Sequence, residues 1–221
     1  MTSKTTGVLF ADNFVGARSY SPTAASNYGH NLAVTDTSSS GAPTYAPVTS
    51  GRGVKVDLAS TAEVENVCLS FGDNLSLDID DIHNVVMDVK MNQADLDAAT
   101  QFAIGLASAR NDAIDSIAHA LLFRLVGSNA LVVESDDSVN NNDDVATGTT
   151  LVNVTKQLKI NLTNKADVRF YVDGQPVATN TTFDMSNYSG ALQFFAQIQK
   201  TSDANVDGFT IERVQITGKI R

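Results

Sequence analysis

The stretch from Val168 to Val177, V-R-F-Y-V-D-G-Q-P-V, constrains the fold more than any other part of the chain. Val168, Phe170 and Val172 share one face while Arg169, Tyr171 and Asp173 share the other, the two-residue period of a half-buried strand. Asp173-Gly174 follows. A two-residue hairpin turn needs such a pair, because its backbone runs at positive φ, which few side chains tolerate. Pro176 cannot donate to a ladder, so the returning strand belongs at a sheet edge. The same alternation recurs along most of the chain and predicts an all-β protein.

Val54, Val56 and Leu58 alternate, and between Ile82 and Asn92 the side chains of Val85, Met87, Val89 and Met91 oppose Val86, Asp88, Lys90 and Asn92. Phe102, Ile104 and Leu106, then Leu158, Ile160 and Leu162, then Leu192, Phe194, Ala196 and Ile198 repeat the pattern. Leu121 to Val126 and Leu131 to Glu134 flank a G-S-N-A turn. Phe209, Ile211, Val214 and Ile216 keep the period only if one residue is inserted at Glu212-Arg213, which predicts a β-bulge. About ten or more such strands at near-regular spacing predict two antiparallel sheets packed face to face. Its shared core is expected to hold Val85, Met87, Val89, Phe102, Ile104, Leu106, Phe170, Phe194 and Ile211.

The first fifty residues read differently. After V-L-F-A-D-N-F at Val8 to Phe14, the segment from Ser19 to Ser50 is rich in Ser, Thr, Ala, Gly, Pro and Asn and shows no useful period. Residues 1–50 are therefore expected to form one strand and a polar extended arm of the same domain, ahead of a sandwich over 51–221. Tyr20, Tyr28 and Tyr45 are the expected anchors on a neighbouring chain, since interface hot spots favour Tyr.

A chain of 221 residues can bury roughly 70% of its unfolded surface, so it needs neither disulfide nor metal to fold. The single cysteine, Cys68, lies in an apolar run and reads as a small buried hydrophobe. A formal net charge of −10 argues against nucleic acid and anionic membranes as partners, because both call for a basic face. The N-terminus lacks the apolar core of a signal peptide, so use without a cleaved leader is expected.

F-A-D-N-F at Phe10 to Phe14, F-A-I-G-L at Phe102 to Leu106, A-L-L-F-R-L at Ala120 to Leu125, V-R-F-Y-V-D-G at Val168 to Gly174, A-L-Q-F-F-A-Q-I-Q-K at Ala191 to Lys200 and G-F-T-I-E-R-V-Q-I at Gly208 to Ile216 occur in one order across nearly the whole chain. In these pieces the chain resembles the concanavalin A-like lectin/glucanase (laminin-G-like) jelly roll, in the form common in virion proteins of tailed bacteriophages. That scaffold hosts lectins, hydrolases, lyases and structural modules. Within it, Glu134-Ser135-Asp136-Asp137-Ser138 is similar to the E-x-D-x-E strand of laminarinase-type glucanases, whose paired Glu residues act as nucleophile and general acid. Here the third position is Ser138 and the chain has no Trp, so no catalytic residue is assigned and the chain is expected not to be an enzyme.

The oxygen-rich segment with Asp136, Asp137, Asp143 and Asp144 has two readings, a structural calcium site of the kind the resemblance implies and a hydrated connection. It lacks the D-x-[DN]-x-[DN]-G spacing, which favours the second reading, and no cofactor is assigned. Gln193, Gln197 and Gln199 form either a carbohydrate-facing strip or a solvated face. The resemblance and the polar arm together imply a homo-oligomeric structural virion protein, most of all a capsid decoration (cement) protein. It would be assembled in the host bacterial cytoplasm, with the major capsid protein and its own copies as partners. A glycan-binding module of a tail or fibre component is the alternative, and a polysaccharide hydrolase or lyase the remote one.

Overall fold

The computed structural model describes residues 5–14, 32–48, 52–72 and 77–220, so Tyr20 and Tyr28 lie outside the described residues. In chain order the strands are β1 Thr6–Asp12, β2 Ala33–Asp36, β3 Thr44–Pro47, β4 Val54–Asp57, β5 Glu63–Ser70 and β6 Leu77–Asp78. There follow β7 Ile82–Met91, β8 Thr100–Ala107, β9 Ala120–Val126, β10 Ala130–Asp136 and β11 Asn141–Thr150. β12 Lys156–Asn161, β13 Arg169–Val172, β14 Gln175–Val177, β15 Ala191–Asp203 and β16 Gly208–Lys219 complete the described set.

These strands form two antiparallel sheets. The first runs β14-β13-β12-β7-β16-β4-β3, and β1 joins β4 along one edge of the long β16. The second runs β11-β10-β9-β8-β15-β5-β2, with β6 paired to the start of β15. The facing sides close over one apolar core. All nine expected core residues are fully buried in it, Val85, Met87 and Val89 contributed by β7 of one sheet and Phe102, Ile104 and Leu106 by β8 of the other. Phe170 sits at its centre with its ring edge-on to Phe123 at 5.2 Å and to Phe183 at 4.9 Å, the T-shaped arrangement aromatic quadrupoles favour.

The local signals hold where the alternation was clear. Val172 pairs with Gln175 across Asp173 and Gly174, whose φ angles of 50° and 79° are the positive pair a two-residue turn demands. Pro176 lies on β14, at the sheet edge. The register of β16 against β7 slips between Ile211 and Arg213, where the bulge was expected.

Three elements differ from the sequence reading. The strand expected near Val8 to Phe14 is present as β1 on β16, but β2 and β3, where an extended arm was expected, also pair, with β5 and β4, so the described part of the first fifty residues is woven into both sheets. Tyr45 is only 4% exposed and belongs to the core, so its ring is not offered to a neighbouring chain as an anchor. Asn141 to Asp144 are not loop but the start of β11, an edge strand held by its ladder to β10 despite residues that disfavour strand. Strands of four residues, such as Thr44–Pro47, are too short to display a period, so tertiary pairing decides them.

At one end of the core Lys200 and Glu65 are both buried, 3.6 Å apart. Lys200 Nζ also donates to the carbonyls of Ala59 and Thr61, and Glu65 accepts from the Ala59 N–H. The pair thereby ties the β4–β5 connection to β15.

Phe170→Ala should cost about 3–5 kcal/mol through the cavity left among Phe123 and Phe183. Chemical denaturation would read this as a lowered midpoint, and an unchanged midpoint would refute the core assignment.

Candidate functional site

The outer face of the second sheet, which the alternation leaves to solvent, is covered. Residues 108–119 connect β8 to β9 and fold back over it. Ile114 and Ile117 pack there against Cys68, Ala103, Ala107, Ala120, Leu122 and Phe195, forming a second small apolar cluster. The segment is also held by hydrogen bonds. Gln197 Nε2 donates to the Asn111 carbonyl at 3.0 Å, and Asn66 Nδ2 donates to the Asp112 carbonyl at 2.9 Å. Gln193 and Gln197 are accordingly 1% and 0% exposed. They are neither an open carbohydrate strip nor a solvated face, as the sequence suggested, because the connection has no period from which its return over the sheet could be read.

Arg124 projects onto the same face from an otherwise apolar strand and is 2% exposed. Nη1 pairs with Glu134 of β10, Nη2 with Asp115 of the covering segment, and Asp144 of β11 stands 3.5 Å away. Burial pushes the Glu134 carboxyl above its ordinary value, with Arg124 pulling the other way. Burial also opposes the charge on Arg124, but Glu134, Asp115 and Asp144 outweigh it and raise the guanidinium pKa. Glu134 and Asp136, the first two positions of the E-x-D pattern, lie two residues apart on β10 and so share this face. The third position, Ser138, lies beyond the strand in the turn to β11.

That turn builds a polar rim at one end of the covered face. Asp137 is 3% exposed and accepts five N–H donors: the backbones of Val139 and Asn140 at 2.9 and 2.6 Å, the Asn140 amide at 3.2 Å, and the backbone and amide of Asn187 at 3.2 and 3.1 Å. Burial alone would raise its pKa, but the N–H groups of Asn140, Val139 and Asn187 prevail and hold it below the usual carboxylate range. Above this carboxylate the hydroxyl of exposed Ser138 lies 2.9 Å from His119 Nε2. The His119 ring stacks on Tyr188 with centroids 4.2 Å apart. Tyr188 is fixed in turn by its hydroxyl, which donates to the Ala191 carbonyl at 2.8 Å.

The four acidic metal candidates are not gathered. Asp136 caps the Ser138 N–H, Asp137 is saturated by N–H donors, Asp143 accepts from the Asn141 amide, and Asp144 faces Arg124. Among the described residues no group of three or more His, Cys, Asp or Glu side chains could hold a metal ion. His119, Tyr188, Asn187 and Arg124 were missed as site residues. Arg124 carried a signal, since an arginine among A-L-L-F-R-L must find a carboxylate if buried.

No protein-family model matches the chain, and no curated protein matches it in sequence. Solved structures do match. The laminarinase from Rhodothermus marinus superposes with a TM-score of 0.64 at 10% identity, covering 99% of both chains. SCLam, a non-specific endo-β-1,3(4)-glucanase from family GH16, gives 0.61 at 11% identity over 99% of this chain and 94% of its own. The metal-free carbohydrate recognition domain of Emp46p gives 0.60 at 10% identity over 93% and 94%.

The fold is a concanavalin A-like jelly roll. At such identities the likeness fixes architecture alone, and it corrects one expectation. The chain was expected not to be an enzyme, yet the structures it matches over nearly their whole length include endo-glucanases as well as carbohydrate recognition domains. The missing Trp and the Ser138 substitution describe local sequence, whereas the architecture is one on which glycoside hydrolysis is performed.

Removing Arg124 would leave Glu134 buried without its cation. Arg124→Leu should cost roughly 3–5 kcal/mol, and the double variant Arg124→Leu/Glu134→Leu should recover most of it. Denaturant midpoints of the three chains check this, and no recovery in the double variant would refute the pairing. Asp137 has a lowered folded pKa, so its stabilisation is present above the ordinary carboxylate pKa of about 4 and is lost as pH falls through the lowered value. Asp137→Asn should therefore lower stability at neutral pH and flatten the acid limb of a midpoint-against-pH profile.

Proposed function

We propose that this chain is a glycan-binding β-sandwich protein that contacts sugar at the rim formed by His119, Ser138, Asn140, Asn187 and Tyr188. The His119–Tyr188 stack carries the reading. It sets a flat aromatic surface beside the exposed Ser138 hydroxyl and the amide side chains of Asn140 and Asn187. A pyranose ring offers an apolar C–H face for stacking and hydroxyls for hydrogen bonding, so an aromatic platform with a few convergent polar groups suits it. Asp137 lies beneath and fixes the turn and Asn187 together, so the rim is organised before any ligand arrives. The net charge of −10 favours neutral over acidic glycans. The carbohydrate recognition domains and glucanases of like fold support the same ligand class.

The narrower expectation of a virion role keeps the support of the sequence resemblance, and the geometry adds none. A receptor-binding tail or fibre component is the virion setting in which a sugar-contacting rim would serve.

An array of neutral and acidic glycans, β-glucans included, probed with the full chain tests the proposal. Binding to neutral glycans is expected, weakened about tenfold by His119→Ala, the scale of losing one good contact. Reducing-end release measured on the bound glycans would extend the reading to hydrolysis. Absence of binding across the array would overturn it, and co-sedimentation with capsids would then support the decoration role.

A further inference from the structure

We infer that the first sheet carries a separate site for a small oxyanion, a phosphate, sulfate or carboxylate group, in a cavity where β12, β7 and β16 come level. Asn84 of β7 pairs with Asn161 of β12 on one side and with Thr217 of β16 on the other, so the register brings these three strand ends together. The chain leaving β12, the short turn Ile79–Asp81 ahead of β7 and the last residue of β16 meet there. Between them lies a cavity of about 370 Å³. That is near the lower end of the roughly 300–1,000 Å³ range of ligand pockets and ample for a small anion.

Its lining is rich in donors and poor in acceptors. Lys165 Nζ pairs with Asp80 at 2.7 Å and donates to the Tyr188 carbonyl at 2.9 Å, which engages two of its three N–H groups. Lys219 Nζ donates to the Asp80 carbonyl and pairs with no carboxylate among the described residues. His83 makes one long contact, its Nδ1 3.5 Å from the Thr6 hydroxyl. Asn164 commits its side-chain oxygen to the Ala166 N–H at 3.2 Å, which leaves its amide N–H groups over. The hydroxyls of Thr163 and Ser186 are unengaged among the described residues. All of these side chains line the cavity and are at least partly exposed, so a ligand can reach them. Among the described residues Asp80 is the one carboxylate in the lining.

Two ammonium groups against one carboxylate leave the cavity positive. Asp80 itself registers the field. The Lys165 hydrogen bond first, then the charges of Lys165 and Lys219, hold its carboxyl below the usual carboxylate range, against burial that would raise it. The formal charge of −10 is spread over the whole chain and is screened within about 8 Å at physiological ionic strength, so the nearest charges decide what enters. A cation would face both ammonium groups with Asp80 already engaged. A neutral sugar would leave the Lys219 charge unmatched. An oxyanion accepts from the spare N–H and O–H groups and supplies the missing charge, which makes its hydrogen bonds the stronger, charge-assisted kind. The cavity is independent of the sugar-contacting rim, whose side chains do not line it.

The test is titration of the full chain, followed by amide chemical shifts, with sodium phosphate, sodium sulfate and sodium glucuronate, set against sodium chloride at matched ionic strength and against glucose. Saturable shifts centred on His83, Lys165 and Lys219 are expected with at least one of the three oxyanions. Saturation by phosphate or sulfate assigns the site to a free inorganic ion, and saturation by glucuronate alone assigns it to the acid group of a sugar. Lys219→Gln keeps a donor but removes the charge, and should weaken binding about tenfold with the melting temperature unchanged. Thr163→Glu sets a second carboxylate in the lining and should abolish binding, while His119→Ala at the rim should leave it intact. No saturable response to any oxyanion, an equal response to chloride or glucose, shifts centred on the rim, or undiminished binding in Lys219→Gln and Thr163→Glu would each overturn the inference.

Discussion

The centre of the second sheet is buried on both faces, and the remainder of the site depends on that. In a two-layer sandwich the outer side of an antiparallel sheet is ordinarily the wet side. Here Ile114 and Ile117 carry the β8–β9 connection back across it and turn the middle strands into interior. Polar groups projecting from those strands must then find partners within the protein. Arg124 draws in Glu134 and Asp115, while Gln197 and Asn66 bond the carbonyls of the covering segment itself. The cover moves wet chemistry to the margin of the sheet, where the Asp137 turn stands.

How much of this was legible follows from the range over which each signal acts. The strands with Val85, Met87 and Val89 or Phe102, Ile104 and Leu106 announce themselves because alternation is a property of neighbours in sequence. The Asp173-Gly174 turn and the slip at Glu212-Arg213 are local in the same sense. By contrast, Thr44–Pro47 is a strand only because Val54–Asp57 lies beside it, and Asn141 to Asp144 pair only because β10 offers a ladder. The site lies at the far end of this scale. His119 and Tyr188 are sixty-nine residues apart and meet through the packing of two connections, for which no period or motif speaks.

The fold by itself does not choose between binding a glycan and cleaving one, since carbohydrate recognition domains and endo-glucanases share it. In this chain the outer face of β10 is occupied and covered. Glu134 is a buried carboxylate on the outer face that is engaged by a guanidinium, and burial raises its proton affinity. The rim combines a stacked aromatic pair with hydroxyl and amide groups held on one saturated carboxylate, an arrangement of fixed contacts and few moving parts.

The strand β16 pairs with β7 along one edge and divides its other edge between β4 and β1. Thr6 to Asp12 thus find their ladder only in residues 214–219, some two hundred positions downstream. During synthesis the early strand must wait, without this partner, until residues 214–219 have left the ribosome. Closing so long a loop carries a large entropic cost before any contact rewards it, which slows folding and prolongs the life of open strand edges. The same stitch between β1 and β16 is the kind of long-range pairing that slows folding and leaves strand edges open to aggregation while a chain is still being made.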